Sequence, residues 1–282
     1  DQLALQAGQN VLEIGTGTGY TAALARQLVG EGGTVTSLEL DRQTAQFAED
    51  TLQSLGMSGV RVVNQDGALG YAPRAQYDRI LSTVGVWDVP PAWIRQLKPQ
   101  GRLVIPMWID GLQVVAAFTH GPDGTLESEQ VTPGKFVYMQ GEARGPDVRR
   151  RIGSTSLTIL ADGVRSVDTA ALHLLLTHDP EATFLTQALN SFDYWYGFVP
   201  FVMIHEPDKY VFALYTITGT DTAYGLSGEG FALIGRSSAC FVPYYGLNNA
   251  HSFGSADAYM EIETLLKQWA EAAARRVSMQ TS

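Results

Sequence analysis

Residues 13–19 read Glu13-Ile14-Gly15-Thr16-Gly17-Thr18-Gly19, a pattern whose residue types and spacing suit the holding of a nucleotide-like ligand. Glycine at alternate positions lets a backbone turn sharply and lets a ligand approach with no Cβ in the way. The loop follows an apolar run, Val11-Leu12-Glu13-Ile14, and precedes a helical pattern from Tyr20 to Leu28. Free amide N–H groups at the start of that helix face the loop. A dinucleotide fingerprint, Gly-x-Gly-x-x-Gly, needs a glycine at position 20, where Tyr20 stands. A pyrophosphate ligand is therefore disfavoured.

Two further acids follow at regular intervals. Glu39 ends the next predicted strand, where a carboxylate accepts hydrogen bonds from both hydroxyls of a ribose. The third strand leads into Asp66-Gly67, where an acid can accept from an adenine amino group. Each acid alone reads most simply as a solvated strand end. All three features fall at the carboxyl ends of predicted strands, which is where open α/β sheets bind ligands. Together with the alternating glycines they point to S-adenosylmethionine (AdoMet) as the cofactor.

The elements that must position these residues are regular. Strands are predicted at Val11–Ile14, Thr34–Leu40, Val60–Val63, Tyr77–Ser82 and Arg102–Pro106. Helices are predicted at Tyr20–Leu28, at Asp41–Leu55 with Gly56 as its stop, and from Pro90-Pro91 to Leu97. That alternation implies an α/β fold: a doubly wound, mostly parallel, Rossmann-like sheet covered on both faces. Met107 to Gln140 reads as an antiparallel hairpin with a turn at Gly121-Pro122-Asp123-Gly124. The polar, basic stretch from Gly141 to Gly153 marks a boundary, dividing the chain into 1–143 and a C-terminal α+β region, 144–282. In that region Asp168 caps a helix carrying Leu172, Leu175 and Leu176, and strands are expected at Tyr210–Ile217 and Phe231–Tyr245. A final helix shows Ala258, Ile262, Leu265, Leu266, Trp269 and Ala273 on one face.

The segment from Val11 to Ala22 resembles motif I of protein-L-isoaspartate O-methyltransferases. The likeness continues through Asp66-Gly67, Tyr77-Asp78, the run Gln96 to Pro106 and Phe136-Val137-Tyr138-Met139, about half of the chain. It implies a class I AdoMet-dependent methyltransferase that yields S-adenosylhomocysteine (AdoHcy). It also implies that Gly15 to Gly19, Glu39 with Leu40, and Asp66 with Gly67 line the cofactor, with Glu13 in the same loop. Three departures stand out. The family's catalytic serine lies in a segment ahead of motif I that these residues do not include. The usual small residues after the fourth strand are replaced by Thr83-Val84-Gly85-Val86-Trp87-Asp88. About 140 residues follow the family's normal end. That extension resembles a branch associated with ribosomally made, modified peptides such as lanthipeptides and graspetides, which implies methylation of an aspartate in a precursor peptide and then a succinimide.

A carboxyl acceptor needs little acid–base help, since its pKa lies near ~4. Ser82 and Thr83 are the candidate catalytic hydroxyls that hold it, against a strand-capping role, and Trp87 is a candidate wall of its pocket. The expected function is therefore O-methylation of an Asp or isoAsp carboxylate in a peptide or protein, a precursor peptide before all. The alternatives are isoaspartate repair, a small-molecule methyltransferase and a non-catalytic AdoMet-binding module.

The remaining features are bland or exclusive. A net charge of −10 argues against nucleic acid and against anionic membranes as partners, and no apolar run reaches membrane-spanning length. His120, His173, His178, His205 and His251 form no close ligand pair, so no metal is expected. Cys240 reads as a buried apolar residue, and a single cysteine fits a reducing, cytoplasmic setting. Gly225-x-x-Gly228-x-Gly230 reads as a hairpin turn and Arg149-Arg150-Arg151 as a solvated linker, with an acidic peptide as its functional alternative. The aromatics Phe192, Tyr194, Trp195, Tyr196 and Phe198 read first as core, and otherwise as a surface for a peptide or for a homodimer partner. The opening Asp1-Gln2-Leu3-Ala4-Leu5 reads as the end of a helix, so residues are expected ahead of it, a removed signal peptide among the options.

Overall fold

The computed structural model describes residues 1–109, 111–161, 167–205, 207–245 and 248–280. The chain divides into two compact units, the first Asp1–Ile109 with Gln113–Gly145, the second Gly111 and Leu112 with the chain from Pro146 on.

The first unit runs β1 (Asn10–Ile14), α1 (Tyr20–Val29), β2 (Thr34–Glu39), α2 (Arg42–Ser54), β3 (Val60–Asn64), β4 (Tyr77–Ser82), α3 (Pro91–Gln96), β5 (Leu97–Ile109), β6 (Leu112–His120) and β7 (Leu126–Pro133). The strands form one sheet in the order β3-β2-β1-β4-β5-β6-β7. β3, β2, β1, β4 and β5 are parallel neighbours, and β6 pairs antiparallel with β7. Val11, Leu12 and Ile14 of β1 are buried because helices cover both faces of a parallel sheet. Local signals set the helix ends: Asp41 caps α2 by accepting from Thr44 N at 2.8 Å. β5 starts earlier than expected. Leu97 already pairs with Tyr77, and the pairing resumes at Arg79 with Arg102, so Lys98 to Gly101 form an irregular insert within the strand.

The second unit runs β8 (Arg149–Arg151), β9 (Leu157–Leu160), α4 (Thr169–Leu176), β10 (Glu181–Phe184), α5 (Ser191–Asp193), a π-helical turn (Tyr194–Phe198), α6 (Val199–Ile204), β11 (Val211–Ile217), β12 (Glu229–Ile234), β13 (Ser238–Pro243), β14 (Asn249–Gly254) and α7 (Asp257–Gln280). Its sheet is antiparallel, in the order β10-β14-β13-β12-β11-β9-β8. Two cores form on opposite faces. Phe212, Phe231, Leu233 and Val242 pack with Tyr194, Phe198, Val202 and the Ile262–Leu266 turn of α7. Ala213, Tyr215, Ala232 and Phe241 pack with Leu172 and Leu176 of α4.

Several expectations change here. Phe231–Tyr245 is two strands, β12 and β13, turning at Gly235. The Arg149–Arg151 run is not a linker but the exposed edge strand β8, paired with β9. Of the aromatic segment, Tyr194 and Phe198 are core, while Phe192 and Tyr196 stay exposed. Burial raises the Cys240 thiol to about 12, and a thiol held neutral is a packing residue. Among the described residues, no helix is long and apolar enough to cross a membrane.

The Tyr194 hydroxyl bridges β12 and β13, donating to Val242 O at 2.6 Å and accepting from Phe231 N at 3.1 Å. Tyr194→Phe leaves both backbone groups without that partner in a buried setting. We expect a loss of about 1–3 kcal/mol in chemical denaturation, with AdoHcy binding unchanged.

Candidate functional site

The order of strands reverses between β1 and β4, since β2 and β3 extend one way from β1 and β4 and β5 the other. At such a switch point the connections leave in opposite directions and open a crevice at the carboxyl edge. A cleft of about 910 Å³ occupies it. Its floor is the glycine loop, from Ile14 to Thr18, with Tyr20 and Thr21. Leu38 to Asp41, Gly67, Thr83, Val84 and the stretch Val137–Gln140 make its sides.

The loop's shape follows from its glycines. Gly15, Gly17 and Gly19 all have positive φ (91°, 53° and 82°), a region that costs other residues strain. A Cβ at Gly15 would lie 2.7 Å from Thr83 Oγ1, whereas one at Gly17 would meet nothing within 4 Å. Gly15 is thus required by the protein's own packing, and Gly17 faces open space beside the cleft. Gly15 N and Thr16 N both donate to Leu38 O, at 2.9 and 3.1 Å, and Gly17 N donates to Glu39 Oε2 at 3.0 Å. These bonds tie the turn to the end of β2.

Glu39 Oε1 accepts from Asp41 N at 3.1 Å. Each carboxylate oxygen has a second lone pair, so Glu39 retains the capacity to accept from a ribose diol. Glu13 is buried beneath the loop. Its Oε2 accepts from Ser37 Oγ, which in turn pairs with Thr16 Oγ1 at 2.6 Å, and its Oε1 has no partner. Burial lifts the Glu13 pKa to about 8, opposed by the Ser37 hydrogen bond and assisted by the charge of Glu39. AdoMet fits this donor set: open space beside Gly17, an acid at the end of β2, and an orphaned carboxyl oxygen below the loop.

Three of the expected site residues are held by the protein's own hydrogen bonds. The Asp66 carboxylate accepts from Ala68 N at 2.9 Å through Oδ1 and from Glu142 N at 2.7 Å through Oδ2, and each oxygen keeps a second lone pair. It caps one turn and anchors another, while Gly67 lines the cleft. The hydroxyls proposed to hold a carboxylate are also engaged. Ser82 is buried and donates to Val84 O at 2.7 Å, and Thr83 Oγ1 donates to Gly15 O at 2.6 Å. Both hydroxyls thereby stabilise the floor of the cleft.

Of the expected cofactor residues, Gly15, Thr16, Gly17, Thr18, Glu39, Leu40 and Gly67 line the cleft; Glu13, Gly19 and Asp66 are not among its lining residues. Tyr20, Thr21 and Val137–Gln140 were not anticipated as lining. The last of these is brought there by Gly85, whose N donates to Val137 O and whose O accepts from Met139 N, a pairing that leaves no periodic trace in the sequence.

A switch-point cleft floored by alternating glycines and closed by an acid after β2 defines a class I AdoMet-dependent methyltransferase. The family described as protein-L-isoaspartate(D-aspartate) O-methyltransferase matches residues 1–144, and the chain belongs to it. It is 38% identical over 147 residues to protein-L-isoaspartate O-methyltransferase 2 of Archaeoglobus fulgidus, a match covering 52% of this chain and 67% of that relative. It is 39% identical over 142 residues to the protein-L-isoaspartate O-methyltransferase of Methanococcus maripaludis, covering 50% of this chain and 66% of the relative. The chain spans about two thirds of the length of these relatives. A solved structure described as a protein-L-isoaspartate O-methyltransferase is 26% identical, covering 96% of this chain and 71% of that one at a TM-score of 0.47.

Two outcomes follow from the cleft. Glu39→Ala removes the acid at the end of β2, and AdoHcy affinity measured by calorimetry should fall roughly 10- to 100-fold, the effect of one or two hydrogen bonds to a charged group. Between pH 4.5 and about 8 the folded chain holds a proton on Glu13 that the unfolded chain has released, so this group's contribution to stability falls as pH rises. Glu13→Gln should flatten that fall, and denaturation of both proteins at pH 5 and pH 8 measures it.

Proposed function

We propose that the chain transfers a methyl group from AdoMet to an aspartyl-type carboxylate of a peptide or protein, with the isoaspartyl carboxylate as acceptor. The cleft at the β1–β4 switch carries this reading, because its glycine floor and Glu39 suit the cofactor's nucleoside end. The names of the family and of the relatives support the acceptor.

AdoMet supplies a methyl group on a positively charged sulfur. A carboxylate is ionised at neutral pH, so no side chain has to remove a proton from it. Opposite charges diminish as the oxygen attacks, a change favoured where water is excluded and the partners are aligned. The chain's part is alignment. The glycine loop and Glu39 hold the nucleoside end, and Thr83, Val84, Tyr138 and Met139 line the rest of the same cleft.

A second reading has the acceptor as an ordinary aspartate in a ribosomal precursor peptide, the ester closing to a succinimide. The observation that favours it is the second unit, with a seven-stranded sheet and two cores of its own, which a sequence-tolerant repair reaction does not require.

Mass spectrometry of the full-length protein with paired peptides, identical except for Asp or isoAsp at one position, tests both. A methyl added to isoAsp alone supports repair. A methyl added to Asp, followed by loss of methanol, replaces it with the precursor reading. No transfer to either peptide sinks the proposal.

A further inference from the structure

The sheet of the second unit ends on β8, three exposed arginines, and among the described residues no strand pairs on its outer side. Val148 O accepts from Ala161 N at 3.5 Å and Ile152 N donates to Leu157 O at 3.0 Å. By the antiparallel alternation, Val148, Arg150 and Ile152 therefore turn their backbone groups toward β9, and Arg149 and Arg151 turn theirs outward. The Arg149 groups are already occupied: its N donates to Asp147 Oδ1 at 3.1 Å and its O accepts from Arg150 Nη1 at 2.9 Å. The Arg151 N–H and C=O are left to face a strand laid along the edge.

The guanidiniums on this edge are held in place without being neutralised. Arg150 Nη1 also donates to Asp147 O at 2.6 Å, and Arg151 Nε donates to Thr155 O at 2.5 Å. None of the three arginines forms an ion pair among the described residues, although the chain carries 29 acidic residues to 19 basic ones. A guanidinium has more donors than these bonds use, and its planar fork matches a carboxylate. Charge alone would keep a sheet edge from pairing with a copy of itself. Tethering two guanidiniums to backbone carbonyls goes further, because it fixes where their remaining donors lie.

We propose that β8 is a docking edge for an extended, acidic segment of a partner peptide. Alternate side chains leave one face of a strand about 7 Å apart, so Arg149 and Arg151 match carboxylates at alternate positions of a segment lying alongside. The backbone groups of Arg151 pair with those of the segment. Nucleic acid fits less well. A long polyanion also meets the chain's net charge of −10, whereas a short peptide feels the charges within a Debye length, about 8 Å. This docking goes beyond the methyl-transfer reading and does not depend on it.

Fluorescence anisotropy with the full-length protein tests the proposal. The probe is a short labelled peptide with glutamate at every second position and threonine between. The wild type should bind it at low salt and should not bind the counterpart with glutamine in place of glutamate. Arg149→Gln combined with Arg151→Gln should weaken binding about tenfold, the effect of losing two exposed ion pairs. Three results overturn the proposal: no binding by the wild type, equal binding of the two peptides, or a double variant that binds as the wild type does. A single-stranded RNA of the same length that binds more tightly than the glutamate peptide assigns the edge to nucleic acid and overturns it as well. Hydrogen exchange of the wild type keeps the test open should the double variant fold poorly. Exchange at the Arg151 amide should slow when the glutamate peptide is saturating, since that N–H gains an acceptor, and unchanged exchange overturns the proposal.

Discussion

The first unit depends on a short turn whose backbone is tied down on both sides. Leu38 O receives two amide protons from Gly15 and Thr16, and on the opposite side Thr83 N donates to Ile14 O while its hydroxyl reaches Gly15 O. The end of β1 is therefore tied to both neighbouring strands at the point where the sheet divides. A turn pinned this way cannot relax to negative φ without losing bonds in two directions. That is why an intrinsically strained conformation persists, and why the space beside Gly17 stays open.

How much of this was legible in the sequence follows from which residues have no alternative. The alternating glycines were readable because positive φ at three positions disfavours other residue types, β1 because a parallel strand covered on both faces is an apolar run, and β2 because its residues alternate. Orientation was not readable. A strand-end rule placed Ser82 and Thr83 at the correct edge, but whether a hydroxyl faces a ligand or the backbone is decided by neighbours such as Gly15 and Val84. Asp66 shows the same limit: its position after β3 was legible, its bond to Glu142 N across 76 residues was not.

The second unit was harder for a different reason. Its sheet has cores on both faces, so the alternation that usually marks antiparallel strands is lost in β12 and β13, where nearly every residue is buried. The short elements β8 and β10 are mostly exposed and polar, and nothing in their composition distinguishes them from loops. The departures after β4 acquire a physical account at the same time. Val86 bridges to Met107 and Gly85 to Tyr138, so these residues continue the sheet beyond its formal end, with Trp87 next in sequence stacked on Trp108.

The edge strand β8 has a consequence for how molecules of this protein meet. An open sheet edge is a template on which another strand can grow, and sheets that end in unguarded edges tend to propagate. Here the edge is three consecutive arginines, all exposed, on a chain that is otherwise strongly acidic. Two copies approaching edge to edge along β8 would set guanidinium against guanidinium, and like charges directly opposite one another repel. The same residues that end the sheet make its edge inhospitable to its own kind.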